Sequence, residues 1–212
     1  MLIDKFISHI RKTDPSFEAR IILDIGSRDL DQSIEFSSVY KNSKIYAFEP
    51  NPEQFNICLN KSINYENINV EQLAISDKNG SLDFYITHGN VGASSLLEPI
   101  NVPFASTQNF TKISVESKRL DNWLEQNKID VVDIMWLDTQ GIELAALKSM
   151  GDKLKKVKFI HCEASELPYY KGHLLKTDLV EFLESVGFEL IFINEAYHPF
   201  NEGDIIATNK SL

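Results

Sequence analysis

An apolar run with one carboxylate in it, Ile21-Ile22-Leu23-Asp24-Ile25, ends at Gly26-Ser27. Such a short aliphatic run, without polar alternation, is typical of a strand buried on both faces of a parallel sheet. An unpaired carboxylate there would be costly, so we expect Asp24 to have polar partners or a ligand. Gly26 permits either a tight turn or the close approach of a ligand to the backbone, and the residues alone leave both readings open.

Short apolar runs alternate with amphipathic runs along the rest of the chain. We predict strands at residues 21–25, 44–49, 68–75, 82–86, 131–137, 157–162, 188–193 and 204–208. Strands that alternate with helices indicate a mostly parallel sheet covered on both faces, which is an α/β fold. The connection between the last two strands is too short for a crossover helix, so we expect those strands to be antiparallel.

Helix starts are predicted from capping residues. Asn51 suits an N-cap before Pro52, and Gln54 can close a capping box. Phe55, Leu59 and Ile63 then share one helical face. A second helix is predicted near residues 143–150. A third is expected to begin at Thr177 and to end at Gly187.

Length and charge limit the classes of protein. At roughly 150 residues per domain, the 212 residues predict one domain, with residues 1–19 as an N-terminal helical extension and residues 89–112 as a substrate-side loop. The formal charge of -10 argues against nucleic acid and against an anionic membrane as partners. Two widely separated cysteines and the absence of a signal-like apolar run predict a cytoplasmic protein. The oligomeric state is not predicted.

Candidate ligand-binding residues follow the predicted strands, because ligands of parallel sheets bind outside the carboxyl ends of the strands. Glu49 follows the second strand and can accept hydrogen bonds from two ribose hydroxyls. Taken singly, Glu49 could be a solvated acid, and Asp138 or Glu143 could be acids at a helix start. Acids after four different strands nevertheless favour a nucleoside-like ligand.

Three residues are candidates for the chemistry itself: Asp138, His161 and Glu163. A divalent metal among them is a weak alternative, and His161 fits a tightly filled layer at least as well. No Walker A, G-x-S-x-G, H-E-x-x-H or G-x-G-x-x-G pattern occurs. Tyr169-Tyr170-Lys171-Gly172 could line a substrate pocket or anchor a loop.

An ordered set of motifs resembles the FkbM family of S-adenosylmethionine-dependent methyltransferases. The motifs are Asp24-Ile25-Gly26-Ser27, Tyr46-Ala47-Phe48-Glu49-Pro50-Asn51-Pro52, Ala74-Ile75-Ser76-Asp77, Arg119-Leu120-Asp121-Asn122-Trp123 and Leu137-Asp138-Thr139-Gln140-Gly141-Ile142-Glu143. The resemblance implies a class I methyltransferase fold, a Rossmann-like three-layer sandwich on a seven-stranded mostly parallel sheet whose last strand is antiparallel. It also implies S-adenosyl-L-methionine as cofactor. The implied cofactor-binding residues are Asp24, Gly26, Ser27, Glu49, Pro50, Asn51, Ala74, Ile75 and Asp138.

The implied activity is O-methyl transfer to a hydroxyl of a small molecule or a saccharide, with Asp138, His161 or Glu163 as general base. The chain departs from the family pattern where a second glycine is usual and Leu30-Asp31 stands instead. That departure keeps open a non-catalytic cofactor-binding module. An NAD-dependent oxidoreductase is a further alternative, because Glu49 also suits an NAD ribose.

Overall fold

A computed structural model describes residues 2–100, 109–193 and 202–212. The helices in these ranges are α1 (Leu2–Thr13), α2 (Asp31–Val39), α3 (Pro52–Ser62), α4 (Leu120–Gln126), α5 (Glu143–Lys148) and α6 (Lys176–Ser185). The strands are β1 (Ile21–Ile25), β2 (Lys44–Phe48), β3 (Ile68–Glu71), β4 (Ala74–Ile75), β5 (Gly80–Thr87), β6 (Phe110–Lys118), β7 (Val132–Leu137), β8 (Val157–Ser165), β9 (Phe188–Ile193) and β10 (Glu202–Asn209). Two short 3₁₀ turns lie at Val91–Ala93 and Gly151–Lys156.

Seven strands form the main sheet in the order β3-β2-β1-β7-β8-β10-β9. Neighbouring strands from β3 to β8 pair in parallel, whereas β10 is antiparallel to both β8 and β9. The predicted mostly parallel sheet with an antiparallel end is therefore confirmed. Residues 194–201 of the predicted final connection lie outside the described part of the chain.

Helices cover both faces of this sheet. One face carries α1, α2 and α3, whose buried side chains include Phe6, Phe36 and Cys58. The other face carries α4, α5 and α6, whose buried side chains include Trp123 and Leu147. The predicted three-layer α/β architecture is thus present, and each helix is held by its apolar side chains against the sheet.

The predicted N-terminal extension contributes to the core. One face of α1 is buried through Ile3, Phe6, Ile7 and Ile10. Their spacing of three and four residues gives a single apolar stripe against the main sheet. This helix therefore completes one of the two covering layers.

A smaller three-stranded sheet, in the order β4-β6-β5, lies beside the main one. The single strand predicted at residues 68–75 is wrong, because β3 belongs to the main sheet and β4 to the small sheet. Strand β6 was not predicted, since only Phe110, Ile113 and Val115 interrupt its polar residues. Of the predicted loop at residues 89–112, residues 101–108 lie outside the described ranges.

Three helix details correct the sequence predictions. The buried residue of α3 is Cys58, whereas Leu59 and Ile63 are 44% and 78% exposed. Asn51 caps α3 as predicted, but it accepts from the Glu53 amide, while its own amide bonds Glu49 in place of Gln54. Helix α6 starts at Lys176, so Thr177 lies inside it and Leu175 occupies the cap position.

Both cysteines, Cys58 and Cys162, are free and fully buried. Across the described ranges, no helix combines the length and apolar character needed to cross a membrane.

Candidate active site

An open cavity lies at the carboxyl ends of β1, β2 and β7, where β4 and β5 of the small sheet meet the main sheet. Its wall includes seven of the residues implied to bind cofactor: Gly26, Glu49, Pro50, Asn51, Ala74, Ile75 and Asp138. The strand-end rule therefore brings residues from four strands and their following loops into one cavity.

Asp24 and Ser27 are not part of that wall. Asp24 is fully buried, and its Oδ2 accepts hydrogen bonds from the hydroxyls of Ser27 at 2.8 Å and Ser33 at 2.5 Å. Burial raises the pKa of Asp24 to about 6, although the two hydroxyls oppose that rise. These two hydrogen bonds connect the loop after β1 to α2, so Asp24 supports the cavity wall without lining it.

Leu30 occupies the position where the family pattern places its second glycine. Its φ of 69° lies in the left-handed region that bulky side chains rarely adopt. The side chain is fully buried in the cluster beneath α1 and α2. Burial of the apolar side chain therefore holds Leu30 in the left-handed conformation that a glycine would adopt freely. The chain thus keeps this turn although leucine stands where the family pattern has glycine.

Glu49 is held in a fixed orientation at the cavity wall. Its Oε2 accepts from the Arg28 amide and its Oε1 from the Asn51 amide, both at 2.8 Å. Burial raises the pKa of Glu49 to about 7, and these two amides oppose the rise. Each oxygen retains a further acceptor site, which suits the two neighbouring hydroxyls of a ribose.

Asn51 adds an unused donor to the same wall. It is 1% exposed, and its Nδ2 has no hydrogen-bond partner among the described residues. A buried unpartnered amide is costly unless a ligand satisfies it. The same cavity also has apolar lining residues, among them Phe48, Ile75 and Phe84, which are available to contact a flat ring. These features suit a nucleoside-like ligand.

Asp138 stands where the loop after β7 reaches the cavity. Its Oδ1 accepts from Nε2 of Gln140 at 2.8 Å, and the same nitrogen donates to Oε2 of Glu163 at 2.6 Å. Burial raises the pKa of Asp138, while Gln140, His161 and Arg28 oppose that rise. One amide therefore bonds two of the three predicted catalytic side chains, namely Asp138 and Glu163.

The third predicted catalytic residue, His161, has its own ring and hydrogen-bond contacts. It is 1% exposed, stacks on Trp136 with the ring centres 3.6 Å apart, and shares a 3.0 Å hydrogen bond from Nε2 to Asp204. It lines neither this cavity nor a second one, next to it, that contains Glu163. Within the described ranges, no three His, Cys, Asp or Glu side chains are grouped as metal ligands.

A second, smaller cavity adjoins the first and shares Gln140 with it. Glu163, Tyr170 and His173 contribute to its wall. Tyr170 is buried, and its hydroxyl contacts the Ala93 carbonyl and the Gln140 side-chain carbonyl, each at 3.0 Å. The loop-anchor reading of the tyrosine segment is confirmed by these two contacts, and Tyr170 also lines this second cavity.

Glu143 holds the loop between β7 and α5. Its carboxylate accepts from the amide and hydroxyl of Thr139 at 2.7 and 2.9 Å and from the Gly141 amide at 3.1 Å. Burial raises the pKa of Glu143, while the hydrogen bonds from Thr139 and from the amide of Glu143 itself oppose the rise. Its sequence reading as an acid at a helix start is correct, because it lies in the first turn of α5.

Several wall residues were missed by sequence reasoning. They are Arg28, Gln54, Phe84, Val91, Gly92, Ser94, Leu96, Thr139 and Ile142. Thr139 and Ile142 lie inside the quoted motif at residues 137–143, and Gln54 lies two residues after the motif that ends at Pro52, so these two motifs carried the signal that would have found them. Phe84 lies in the strand predicted at residues 82–86, and Val91, Gly92, Ser94 and Leu96 lie in the predicted substrate-side loop at residues 89–112, so their segments were predicted but their places on this cavity wall were not.

Comparison with known families gives one match over most of the chain. The sequence model described as the methyltransferase FkbM domain matches residues 24–190. The chain is also 30% identical over 219 residues to the 2-O-methyltransferase NoeI of Sinorhizobium fredii (strain NBRC 101917 / NGR234), covering 98% of this chain and 85% of that protein.

Two of the solved structures with similar folds are methyltransferases of low sequence identity to this chain. Magnesium protoporphyrin IX methyltransferase (ChlM) from Synechocystis PCC 6803, with bound SAM, has a TM-score of 0.54 at 10% identity, over 96% of this chain and 76% of that chain. An rRNA methylase from Streptococcus thermophilus has a TM-score of 0.54 at 9% identity, over 96% and 94% of the two chains. These likenesses bear on the fold alone.

Proposed function

Because this chain belongs to the FkbM family of methyltransferases and takes S-adenosylmethionine as its cofactor, we propose that it is an O-methyltransferase acting on a hydroxyl of a small molecule or a saccharide. When bound, the cofactor supplies an electrophilic methyl group on a sulfonium. The protein then has to hold the cofactor, orient the acceptor hydroxyl and receive its proton.

Glu49 is the proposed ribose acceptor. Two backbone amides fix its carboxylate before any ligand arrives, so little side-chain freedom is lost on binding. We assign the neighbouring Pro50, Asn51, Ala74 and Ile75 to the adenosine wall, and Gly26 to the loop beside it. Asp24 and Ser27 are assigned a supporting role behind this wall.

Asp138 is the proposed general base, and its place at the edge of the cofactor cavity is the observation on which the proposal depends. Burial raises the pKa of its carboxyl, which makes the carboxylate a better proton acceptor near neutral pH. Glu163 lines the adjoining cavity and is proposed to contact the acceptor. His161 lines neither cavity and stacks on Trp136, so it is proposed to support the site without contacting a ligand.

The acceptor class is inferred from two observations. The relative from Sinorhizobium fredii is described as a 2-O-methyltransferase. The cavity that adjoins Asp138 carries carboxylate, imidazole and phenol groups from Glu163, His173 and Tyr170, which suit hydrogen bonding to a polyhydroxylated molecule.

Calorimetric titration with S-adenosylhomocysteine tests the cofactor site. Glu49→Ala is expected to weaken binding by at least tenfold, because a charged acceptor of two hydrogen bonds is removed. Glu53→Ala is the matched control, since Glu53 is an exposed acid on α3 and carries the same charge. Equal affinities of the two variants would refute the assignment of Glu49.

Methyl transfer to a panel of sugars and hydroxylated metabolites tests the base. Asp138→Asn is expected to lower kcat by about 10²- to 10⁴-fold while S-adenosylhomocysteine still binds. Undiminished turnover would remove Asp138 from the mechanism. A wild-type protein that binds the cofactor product and methylates no acceptor would favour the non-catalytic alternative.

A further inference from the structure

Side chains from four separate segments meet at Gln140. Its Nε2 donates to Asp138 at 2.8 Å and to Glu163 at 2.6 Å. Its side-chain carbonyl lies 3.0 Å from the Tyr170 hydroxyl and shares the single proton of that hydroxyl with the Ala93 carbonyl. Its main-chain carbonyl accepts from the Ser95 hydroxyl at 2.7 Å. The loop after β7 is thereby joined to β8, to the tyrosine segment and to the segment that follows the first 3₁₀ turn.

The orientation of the Gln140 amide is determined by its neighbours. A primary amide has two N–H donors and one carbonyl acceptor, and here two carboxylates face the nitrogen while a phenol faces the oxygen. Rotating the amide by half a turn would set its oxygen against both carboxylates. The backbone of Gln140 has a φ of 56°, a left-handed conformation that persists in a non-glycine residue only where surrounding contacts hold it.

We infer that Gln140 is a positioning residue that holds the carboxylates of Asp138 and Glu163 to one nitrogen where the two cavities meet. This inference rests on the proposed function, in which Asp138 is the base and Glu163 contacts the acceptor. Gln140 carries no charge, so it orients both carboxylates without neutralising either of them. A lysine at the same place would neutralise one of the two negative charges. Tyr170 fixes which end of the amide faces them.

Removing the amide changes the proton affinity of Asp138 in a defined direction. A donor to an ionised carboxylate favours the charged form, so its loss raises the pKa of the Asp138 carboxyl. The other charged and titratable groups around Asp138 come from several elements: Arg28, His161, Glu163, Asp204, Asp24, Glu49 and Glu143. The variants below leave all of them in place.

The test is a carboxyl titration by NMR of the full chain with ¹³C-labelled Asp and Glu, in which the Asp138 signal is identified by its loss in Asp138→Asn. Gln140→Met keeps the length of the side chain and removes both donors. It is expected to raise the apparent pKa of Asp138 by about one unit. The acidic limb of kcat against pH is expected to move upward by the same amount, with kcat lowered about tenfold or more.

Ser95→Ala is the matched control, because it removes a hydrogen bond to the main chain of the same residue. It is expected to leave the titration of Asp138 unchanged. Gln140→Asn provides a second variant that tolerates the left-handed backbone and is one carbon too short to hold both carboxylates. It is expected to raise the Asp138 pKa as Gln140→Met does.

The inference is overturned if neither Gln140 variant moves the Asp138 titration, or if Ser95→Ala moves it equally. Failure of the proposed function has a different signature, namely a wild-type protein without methyl transfer, and it leaves the NMR comparison intact.

Discussion

The main-chain carbonyl oxygen of Asp138 lies where a β-carbon on Gly26 would have to be, since an ideal Cβ built on Gly26 falls 1.9 Å from that oxygen. The loops after β1 and β7 therefore meet backbone to backbone at this point, and the Asp138 amide also bonds the Ile25 carbonyl at 3.0 Å. The tight-turn reading of Gly26 is confirmed by its φ of 86°, and the same glycine also lines the cavity and admits the neighbouring loop.

Gly26→Ala is expected to displace the Asp138 loop, lowering both the stability of the protein and its affinity for S-adenosylhomocysteine. Gly187→Ala is the matched control, because Gly187 has a φ of 97° with nothing within 4 Å of its added Cβ. That control is expected to cost about 1–2 kcal/mol of unfolding free energy from backbone strain alone. Urea denaturation and calorimetry measure both effects, and equal losses in the two variants would contradict the contact between the loops.

The affinity for S-adenosylhomocysteine is expected to fall as the pH is lowered from 8 to 6. The pKa of Glu49 in the free protein is about 7, so most of its carboxylate is protonated at pH 6 and its strength as an acceptor is lost. The expected decrease is up to about tenfold. Calorimetry at several pH values checks it, with Glu49→Gln as the variant in which this dependence should flatten. The same slope in both proteins would assign the effect to another group.

The free energy of unfolding of the ligand-free protein is expected to decrease as the pH rises from about 4 to about 7. In this range Asp24 and Glu49 retain in the folded state a proton that they release on unfolding, since burial raises their pKa values from 3.8 to about 6 and from 4.5 to about 7. The stability lost is on the order of 2 kcal/mol per group. Urea denaturation at pH 5 and pH 8 measures it, and the double variant Asp24→Asn, Glu49→Gln should show a smaller difference.

Glycine at position 30 is expected to be less harmful than alanine. Both substitutions remove a buried leucine side chain, at about 2–5 kcal/mol, but glycine also relieves a left-handed conformation that costs about 1–2 kcal/mol. Leu30→Gly should therefore be more stable than Leu30→Ala by about 1 kcal/mol. At the fully buried Leu147 inside α5, the order should reverse. The same order at both positions would refute the strain at Leu30.

The main sheet was predictable because its central strands are continuous apolar runs. Strands β1 and β9 have the predicted bounds, and the antiparallel direction of β10 followed from a short connection. The small sheet was less predictable. Its strand β4 has two residues, and no glycine or proline separates it from β3.

The site was predicted as far as the strand-end rule extends. Glu49 and Asp138 follow buried strands and do reach the cavity. The meeting of Gln140 with Tyr170 depends on residues 30 positions apart, and no local pattern encodes it. The left-handed backbone of Leu30 opposes local propensity and is explained by its burial in the core.

The cofactor cavity has one wall on each sheet, with Glu49 on the large one and Phe84 on the small one. A molecule bound there bridges two units that otherwise have separate hydrogen-bonded ladders. A bound ligand then connects the two sheets and raises the free energy of unfolding by about 2.7 kcal/mol at a ligand concentration of 100 times Kd. Resistance of the small sheet to proteolysis is therefore expected to follow the supply of cofactor, which would make the lifetime of the protein responsive to metabolic state.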